Sequence, residues 1–127
     1  HSIIVSSESI EADPATWASK AAHLLDVTVL LKGSRTVVAH MDRVISLPQA
    51  TPFLATAGSG DVLAGIIGAL VATNYIEILN DPQRLADVAA TGAFIHNEAA
   101  KIASNGGPIS ASSLIDAIPA AVVKILK

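Results

Sequence analysis

Residues 54–67 read Leu54-Ala55-Thr56-Ala57-Gly58-Ser59-Gly60-Asp61-Val62-Leu63-Ala64-Gly65-Ile66-Ile67. Small residues give way to an apolar run that continues to Ala72. This pattern predicts a loop feeding directly into a helix buried on nearly all sides. The first N–H groups of a helix have no partner within it. Together with the helix dipole they make a site for an anion, most naturally phosphate. Glycine lets the backbone approach such a ligand with no Cβ in the way. Asp61 falls in the first turn. Phosphate repels a neighbouring carboxylate, so a general base that takes the proton of an attacking hydroxyl explains Asp61 better than binding alone.

Other glycine motifs fit poorly. No lysine follows Gly60 as a P-loop requires, and Leu63 stands where the dinucleotide fingerprint needs Gly or Ala. The serine of Gly58-Ser59-Gly60 lacks the spacing of a nucleophile elbow. The four residues Gly58 to Asp61 alone are equally compatible with a plain loop and a capping Asp. Gly60, Ala64, Gly68 and Ala72 form a row of small residues at i, i+4 spacing, with Gly65 and Ala69 beside it. That row allows a neighbour to approach closely, which core packing would also explain.

Upstream, Val27 to Leu31 is a continuous aliphatic run, suited to a strand covered on both faces as in a parallel sheet. Lys32-Gly33-Ser34 breaks it. A turn there lies at the carboxyl edge of a strand, where α/β folds bind ligands. Lys32 or Arg35 could contact phosphate and Thr36 could offer a hydroxyl; a solvated hairpin turn is the plainer alternative. Thr36 to His40 and Val44 to Leu47 read as short strands joined through Met41-Asp42-Arg43. Pro48 to Ala57 reads as loop. Asp13-Pro14 signals a helix start, with Trp17, Ala18, Ala21, Leu24 and Leu25 as its apolar face. Ser2 to Ile10 is ambiguous: Ile3-Ile4-Val5 suits a strand, and the serines suit a helix start.

Downstream, Asn74 to Asn80 reads as a connector, and Asp81-Pro82 repeats the helix-start signal. Leu85, Val88, Ala89, Gly92, Ile95, His96, Ala99 and Ile102 recur at helical spacing, ended by Asn105-Gly106-Gly107-Pro108. Ser110 to Ser113 should cap a last helix carrying Leu114, Ile115, Ile118, Val122, Ile125 and Leu126, which Pro119 should delay or bend. His96 reads as a core histidine with satisfied hydrogen bonds, and Asn97 and Glu98 as exposed. His1, His23, His40 and His96 show no metal-ligand spacing.

The fold class is therefore α/β, in a single domain over residues 1–127. The strands are few for so many apolar helices, so either another chain completes the sheet or this is the C-terminal portion of a larger domain. The 127 residues are 51% hydrophobic and 15% charged, which excludes disorder. Aromatics are 3%, so the core is built from aliphatic residues. A net charge of -3 gives no basic surface for nucleic acid. Zero cysteines exclude disulfides and thiolate metal sites. The most apolar stretch, Val62 to Ala72, is too short to span a membrane. No export signal is apparent, and a cytoplasmic protein is expected.

Val29-Leu30-Leu31-Lys32-Gly33-Ser34-Arg35-Thr36-Val37-Val38-Ala39 followed by residues 54–67 resembles the ADP/ATP-dependent NAD(P)H-hydrate dehydratase family. These are ribokinase-like proteins, also called YjeF C-terminal or carbohydrate kinase domains. Gly92-Ala93-Phe94-Ile95-His96 and Leu114-Ile115-Asp116-Ala117-Ile118-Pro119 fit as well, so the resemblance runs from about Ala12 to the end. It implies a three-layer α/β/α fold and a repair reaction. The hydroxyl added to a nicotinamide ring by water is phosphorylated from ADP or ATP, then phosphate leaves. By resemblance, Asp61 is the base beside the substrate, NAD(P)HX. Gly58, Ser59 and Gly60 form the anion hole. Lys32, Gly33, Ser34, Arg35 and Thr36 line the AMP part of the nucleotide, which Gly60 also touches. Mg2+ bridges the phosphates, with no protein metal ligand assigned. A ribokinase-like kinase for a sugar or vitamin precursor is the alternative, since it would use the same hole and base.

Two departures stand out. Pro48-Gln49-Ala50-Thr51-Pro52-Phe53 replaces the Asn/Thr-Gly-Asn-Pro-Gly-like residues of the family, and the family's N-terminal half, with further strands and a His-Pro-Gly-Glu-like substrate segment, has no counterpart. A C-terminal portion that is inactive alone, and that associates with a second copy through its incomplete sheet, is expected.

Overall fold

Val37, Val38 and Ala39 alternate between the two faces of a strand, and this alternation organises the fold. In the computed structural model, which describes residues 5–127, they belong to β2 (Val37–His40). Val37 and Ala39 point to one face, against Ala18 and Ala22 of helix α2 (Pro14–Leu25). Val38 points to the other, against Ala86, Ala89 and Ala90 of helix α5 (Arg84–Ser104). A helix, a sheet and a helix form three layers, and the alanines let both helices approach closely. β2 is the middle strand between β1 (Val29–Leu31) and β3 (Arg43–Ser46). Leu30 pairs with Val38, and Val38 with Ile45.

Both pairings are antiparallel, which corrects the parallel-sheet reading of Val27 to Leu31. The run is covered on two faces by α2 and α5, but its partner is the next strand in sequence, reached through a turn. Val27 lies outside the strand and is exposed, beyond the left-handed Asp26 that ends α2. The other edge of β1 is unpaired among the described residues. Met41 and Asp42 close the β2–β3 hairpin between His40 and Arg43, with Met41 at a φ of 47°.

Asp13 caps α2 by accepting from the Thr16 N–H at 3.2 Å, with Pro14 at the first helical position. The buried stripe is Ala18 and Ala22; Leu24 and Leu25 are exposed and do not extend it. The serine reading of the N-terminus holds: Ser6 caps α1 (Ser7–Ala12). Ile3 and Ile4 lie outside the described residues, and Val5 is not in a strand.

A 3-10 turn (Pro52–Leu54) precedes helix α3 (Ser59–Thr73). The expectation of burial on nearly all sides is wrong for α3. Only Ser59, Val62 and Leu63 are buried. Gly60, Ala64, Gly65, Gly68 and Ala69 are exposed, and a Cβ placed on Gly60, Gly65 or Gly68 would meet no atom within 4 Å. One face packs on α5; nothing among the described residues covers the small-residue face. The expected connector is itself a helix, α4 (Tyr75–Asn80), with Tyr75, Ile76 and Leu79 exposed. α5 begins at Arg84, two residues after Asp81-Pro82, because Asp81 first accepts from the Gln83 N–H in a separate turn. Helix α6 (Ala111–Leu126) starts at a Ser110–Ser113 capping box and continues through Pro119 without delay. It buries Leu114, Ala117 and Ala121, leaving Ile115, Ile125 and Leu126 exposed.

No helix among the described residues is long and apolar enough to cross a membrane.

Candidate active site

The loop from β1 to β2 is held in place by backbone. Leu47 N–H donates to the Thr36 carbonyl and Ala50 N–H to the Ser34 carbonyl, both at 2.9 Å. The strand pairing thus continues past the sheet and presents Lys32 to Thr36 at its end. Lys32, Gly33, Ser34 and Thr36 line a cavity of about 520 Å³. Its opposite walls are the Gln49–Ala55 segment and three residues of α5, Ala93, His96 and Asn97. Arg35 lines a neighbouring cavity of about 700 Å³ against the start of α2.

Asn97 and Glu98 are buried, at 5% and 6% exposure, which corrects their reading as surface residues. Asn97 follows Ala90 and Ala93 and precedes Ala100 on the stripe that faces inward, a spacing the sequence itself contains. Among the described residues its side chain makes no hydrogen bond, yet no buried side-chain polar atom is left unpartnered. The amide is therefore the part of Asn97 that opens onto the cavity. Glu98 accepts from Lys101 at 2.6 Å and from Lys124 of α6 at 2.7 Å. Those two ammonium groups hold its carboxyl below the ordinary range, against the effect of burial.

The glycine segment forms the other half. Gly58 adopts a φ of 81°, where only glycine sits without strain. A Cβ there would lie 3.0 Å from Ala111 Cβ, so the loop is also clamped against the start of α6. Ser59 is turned inward: its Oγ donates to the Leu54 carbonyl at 2.8 Å, and its N–H donates to Thr56 at 3.3 Å. Val62 N–H is taken by the Gly58 carbonyl, and no side chain caps the helix. The amides of Gly60 and Asp61 between them have no acceptor among the described residues. Asp61 is exposed and makes no ion pair among the described residues. Gly58 and Asp61 line a groove of about 710 Å³ between α3 and α6, whose remaining wall is apolar.

Lys32–Thr36 and Gly58–Asp61 thus line different cavities. One side chain touches both regions. His96, 2% exposed, lines the Lys32 cavity and is hydrogen-bonded through Nε2 to the Ser59 carbonyl at 2.8 Å. A carbonyl only accepts, so Nε2 carries the proton. Burial lowers the His96 pKa, the Ser59 bond opposes that, and the Lys32 charge lowers it further. The expectation of a satisfied core histidine is met.

Among the described residues no three His, Cys, Asp or Glu side chains could jointly hold a metal. Asp61 is the exposed carboxylate in the first turn of α3, and a Mg2+ carried by nucleotide phosphates and water needs at most one or two carboxylates.

Comparison with known proteins gives a consistent set. A family model described as NAD(P)H-hydrate dehydratase matches residues 2–120. The chain is 40% identical, over 91% of its length, to a bifunctional NAD(P)H-hydrate repair enzyme of Corynebacterium glutamicum, of which it covers 22%. It is 37% identical, over 88% of its length, to an ADP-dependent (S)-NAD(P)H-hydrate dehydratase of Neisseria meningitidis, of which it covers 36%. The chain therefore spans about a third or less of the length of these relatives. Its fold is that of the ADP/ATP-dependent NAD(P)H-hydrate dehydratase of Bacillus subtilis co-crystallized with ATP/Mg2+ and soaked with CoA. The TM-score is 0.73 at 22% identity, covering 91% of this chain and 41% of that one.

Proposed function

The chain belongs to the NAD(P)H-hydrate dehydratase family, and from that membership we propose that the intact protein repairs hydrated NADH or NADPH using ADP or ATP. The hydroxyl oxygen of the hydrate attacks the terminal phosphorus of the nucleotide, the bond from that phosphorus to its bridging oxygen breaks and releases AMP from ADP or ADP from ATP, and the hydroxyl proton passes to Asp61. The new phosphate ester then leaves as inorganic phosphate, taking the carbon–oxygen bonding electrons, and loss of a proton restores the ring double bond. With ADP the balance is hydrate plus ADP giving NAD(P)H, AMP, phosphate and a proton.

One observation carries this reading: α3 opens with the amides of Gly60 and Asp61, which have no acceptor among the described residues, beside an exposed carboxylate that has no partner among them. Amides oriented before reaction stabilise charge on a moving phosphoryl group without reorganising. The turn of Gly58, Ser59 and Gly60 is the proposed anion hole, with Ser59 contributing through its backbone. The cavity at Lys32, Gly33, Ser34 and Thr36, with Arg35 on its flank and Gly60 near the phosphates, is the proposed seat of the nucleotide's AMP part. The amide of Asn97 adds a hydrogen-bonding group there. Mg2+, when bound, neutralises phosphate charge.

The test is product analysis. The intact protein, given hydrated NADH and ADP, should regenerate absorbance at the NADH band with AMP formed in equal amount. A stable phosphorylated product without NADH would mark a small-metabolite kinase instead. We also propose a cytoplasmic location, with which zero cysteines are compatible, and self-association through exposed apolar surface such as Tyr75, Ile76 and Leu79.

A further inference from the structure

We infer that His96 is a positioning residue: by donating Nε2–H to the Ser59 carbonyl, it fixes the Ser59–Gly60 peptide plane and so aims the Gly60 N–H that receives the phosphoryl anion. The inference rests on the proposed function for what the anion is, but its geometry stands independently.

A peptide unit is rigid and planar. The Ser59 carbonyl and the Gly60 N–H belong to the same unit and point in opposite directions. Whatever holds the carbonyl therefore sets the direction of the N–H. His96 holds it at 2.8 Å from within the core. The Gly60 N–H on the far side has no acceptor among the described residues, and a Cβ on Gly60 would meet nothing within 4 Å. Glycine has the widest backbone freedom of any residue, so its amide gains most from an external brace. Two further bonds lock the same residue, Ser59 Oγ to Leu54 and Ser59 N–H to Thr56. Neither holds the carbonyl, which besides the imidazole meets the first intrahelical donor, the Leu63 N–H; His96 is the brace supplied from outside the helix. The ring itself cannot swing, because α5 is buried continuously from Ile95 to Ala100. The same ring forms part of the wall of the Lys32 cavity. A nucleotide seated there would touch the group that orients the amide at the mouth of α3.

A purely structural histidine would look similar in the free protein, so the test must separate hydrogen bonding from packing. Glutamine at position 96 places an amide N–H close to where Nε2 stands, whereas leucine fills the space without a donor. In the intact protein, His96→Leu should lower kcat for ADP-dependent dehydration by about tenfold or more, since one misaimed donor costs up to 10²–10³. KM for ADP should stay within about threefold, and His96→Gln should restore most of kcat. A second readout needs no turnover. Titrating inorganic phosphate should shift the Gly60 amide resonance in the wild-type and His96→Gln proteins and leave it unmoved in His96→Leu. In the wild-type protein a slowly exchanging imidazole proton on Nε2 should move with it, which keeps the question open to test should the leucine variant not fold. Equal losses in both variants, a full phosphate response in His96→Leu, a wild-type Gly60 amide that ignores phosphate, or a ring protonated only on Nδ1 would each overturn the inference. A protein that fails to dehydrate the hydrate but passes the resonance tests would overturn the proposed function and leave His96 in its role.

Discussion

Helices α3 and α5 invert what their compositions suggest. α3 carries one charged residue, Asp61, in an otherwise apolar or small sequence, yet it exposes a full face. α5 carries Arg84, Asp87, Glu98 and Lys101 together with His96 and Asn97, yet it is the most completely buried helix, running between the sheet, α3 and α6. The difference is in what each helix has available to satisfy it. Three polar groups of α5 are matched: Asp87 pairs with Arg43 of β3, Glu98 with two lysines, and His96 with a carbonyl, while Asn97 turns its amide to the cavity. Matched polar groups can be buried at little cost. The small residues of α3 meet nothing on one side. Apolar character shows that a face needs a partner; it does not show which part of a chain supplies one.

The largest effect should come from the one charge on α3. Asp61→Asn keeps the shape of the side chain and removes its basicity. In the intact protein kcat should fall by about 10²–10⁴, the usual contribution of a general base, while the Kd for ADP should stay within about threefold. Unchanged turnover would remove the base assignment and make Asp61 an ordinary first-turn acid, no different in kind from Asp87 of α5.

Next is the seam where the two helices meet. Gly92 of α5 faces α3 so closely that a Cβ would lie 2.7 Å from Ile67 Cγ1 and 3.5 Å from Ile67 Cα. Gly92→Ala should destabilise by about 1–2 kcal/mol, with overpacking exceeding the roughly 1 kcal/mol of helix propensity that alanine brings. Denaturant unfolding measures it. A gain in stability would mean that the seam yields more easily than the close contact implies.

The acid response separates the helices in another way, because α5 holds the two buried titrating groups. Folding lowers the pKa of His96 from 6.5, mainly by burial, and that of Glu98 from 4.5, mainly through its bonds to Lys101 and Lys124. A group whose pKa is lower when folded contributes stability that is complete above its unfolded value and is lost as pH falls through the folded one. Thermal stability should therefore decline first below about pH 6.5 and again below about pH 4.5. His96→Gln should flatten the first decline and Glu98→Gln the second. A Tm independent of pH down to the lower range would show that neither group is coupled to folding.

Local sequence signals located the turns, caps and hairpin well, because each is written in a few adjacent residues: Asp13-Pro14, Ser110 to Ser113, Met41-Asp42. They located the glycine mouth of α3 for the same reason. They missed Asn97 and Glu98, whose burial depends on Lys124 twenty-six residues away and on a cavity closed by the Gln49–Ala55 segment. They misjudged the exposure of α3 and the direction of β1 because both depend on which neighbour is present. The same limit applies to Lys32–Thr36: the turn was readable, but its separation from the Asp61 groove by the 3-10 turn and His96 was not.

The smallest effect decides the most about the open face of α3. At Gly68 a Cβ meets nothing within 4 Å, and the residue is exposed in mid-helix. With that face in water, Gly68→Ala should stabilise the protein by about 0.5–1 kcal/mol, because alanine loses less backbone freedom than glycine in a helix. If another part of the intact protein, or a second copy, packs closely on the small-residue row, the added methyl clashes and the sign reverses, by about 1–3 kcal/mol. Gly92→Ala serves as the control, since its seam lies within this chain and its cost does not depend on what else is present. Measured by denaturant unfolding of the intact protein at several concentrations, a destabilisation by Gly68→Ala that fades on dilution points to a second copy, and one that is constant points to the same polypeptide. Stabilisation in both regimes would leave the face of α3 open, and would remove the row of small residues as a reason to expect any partner there.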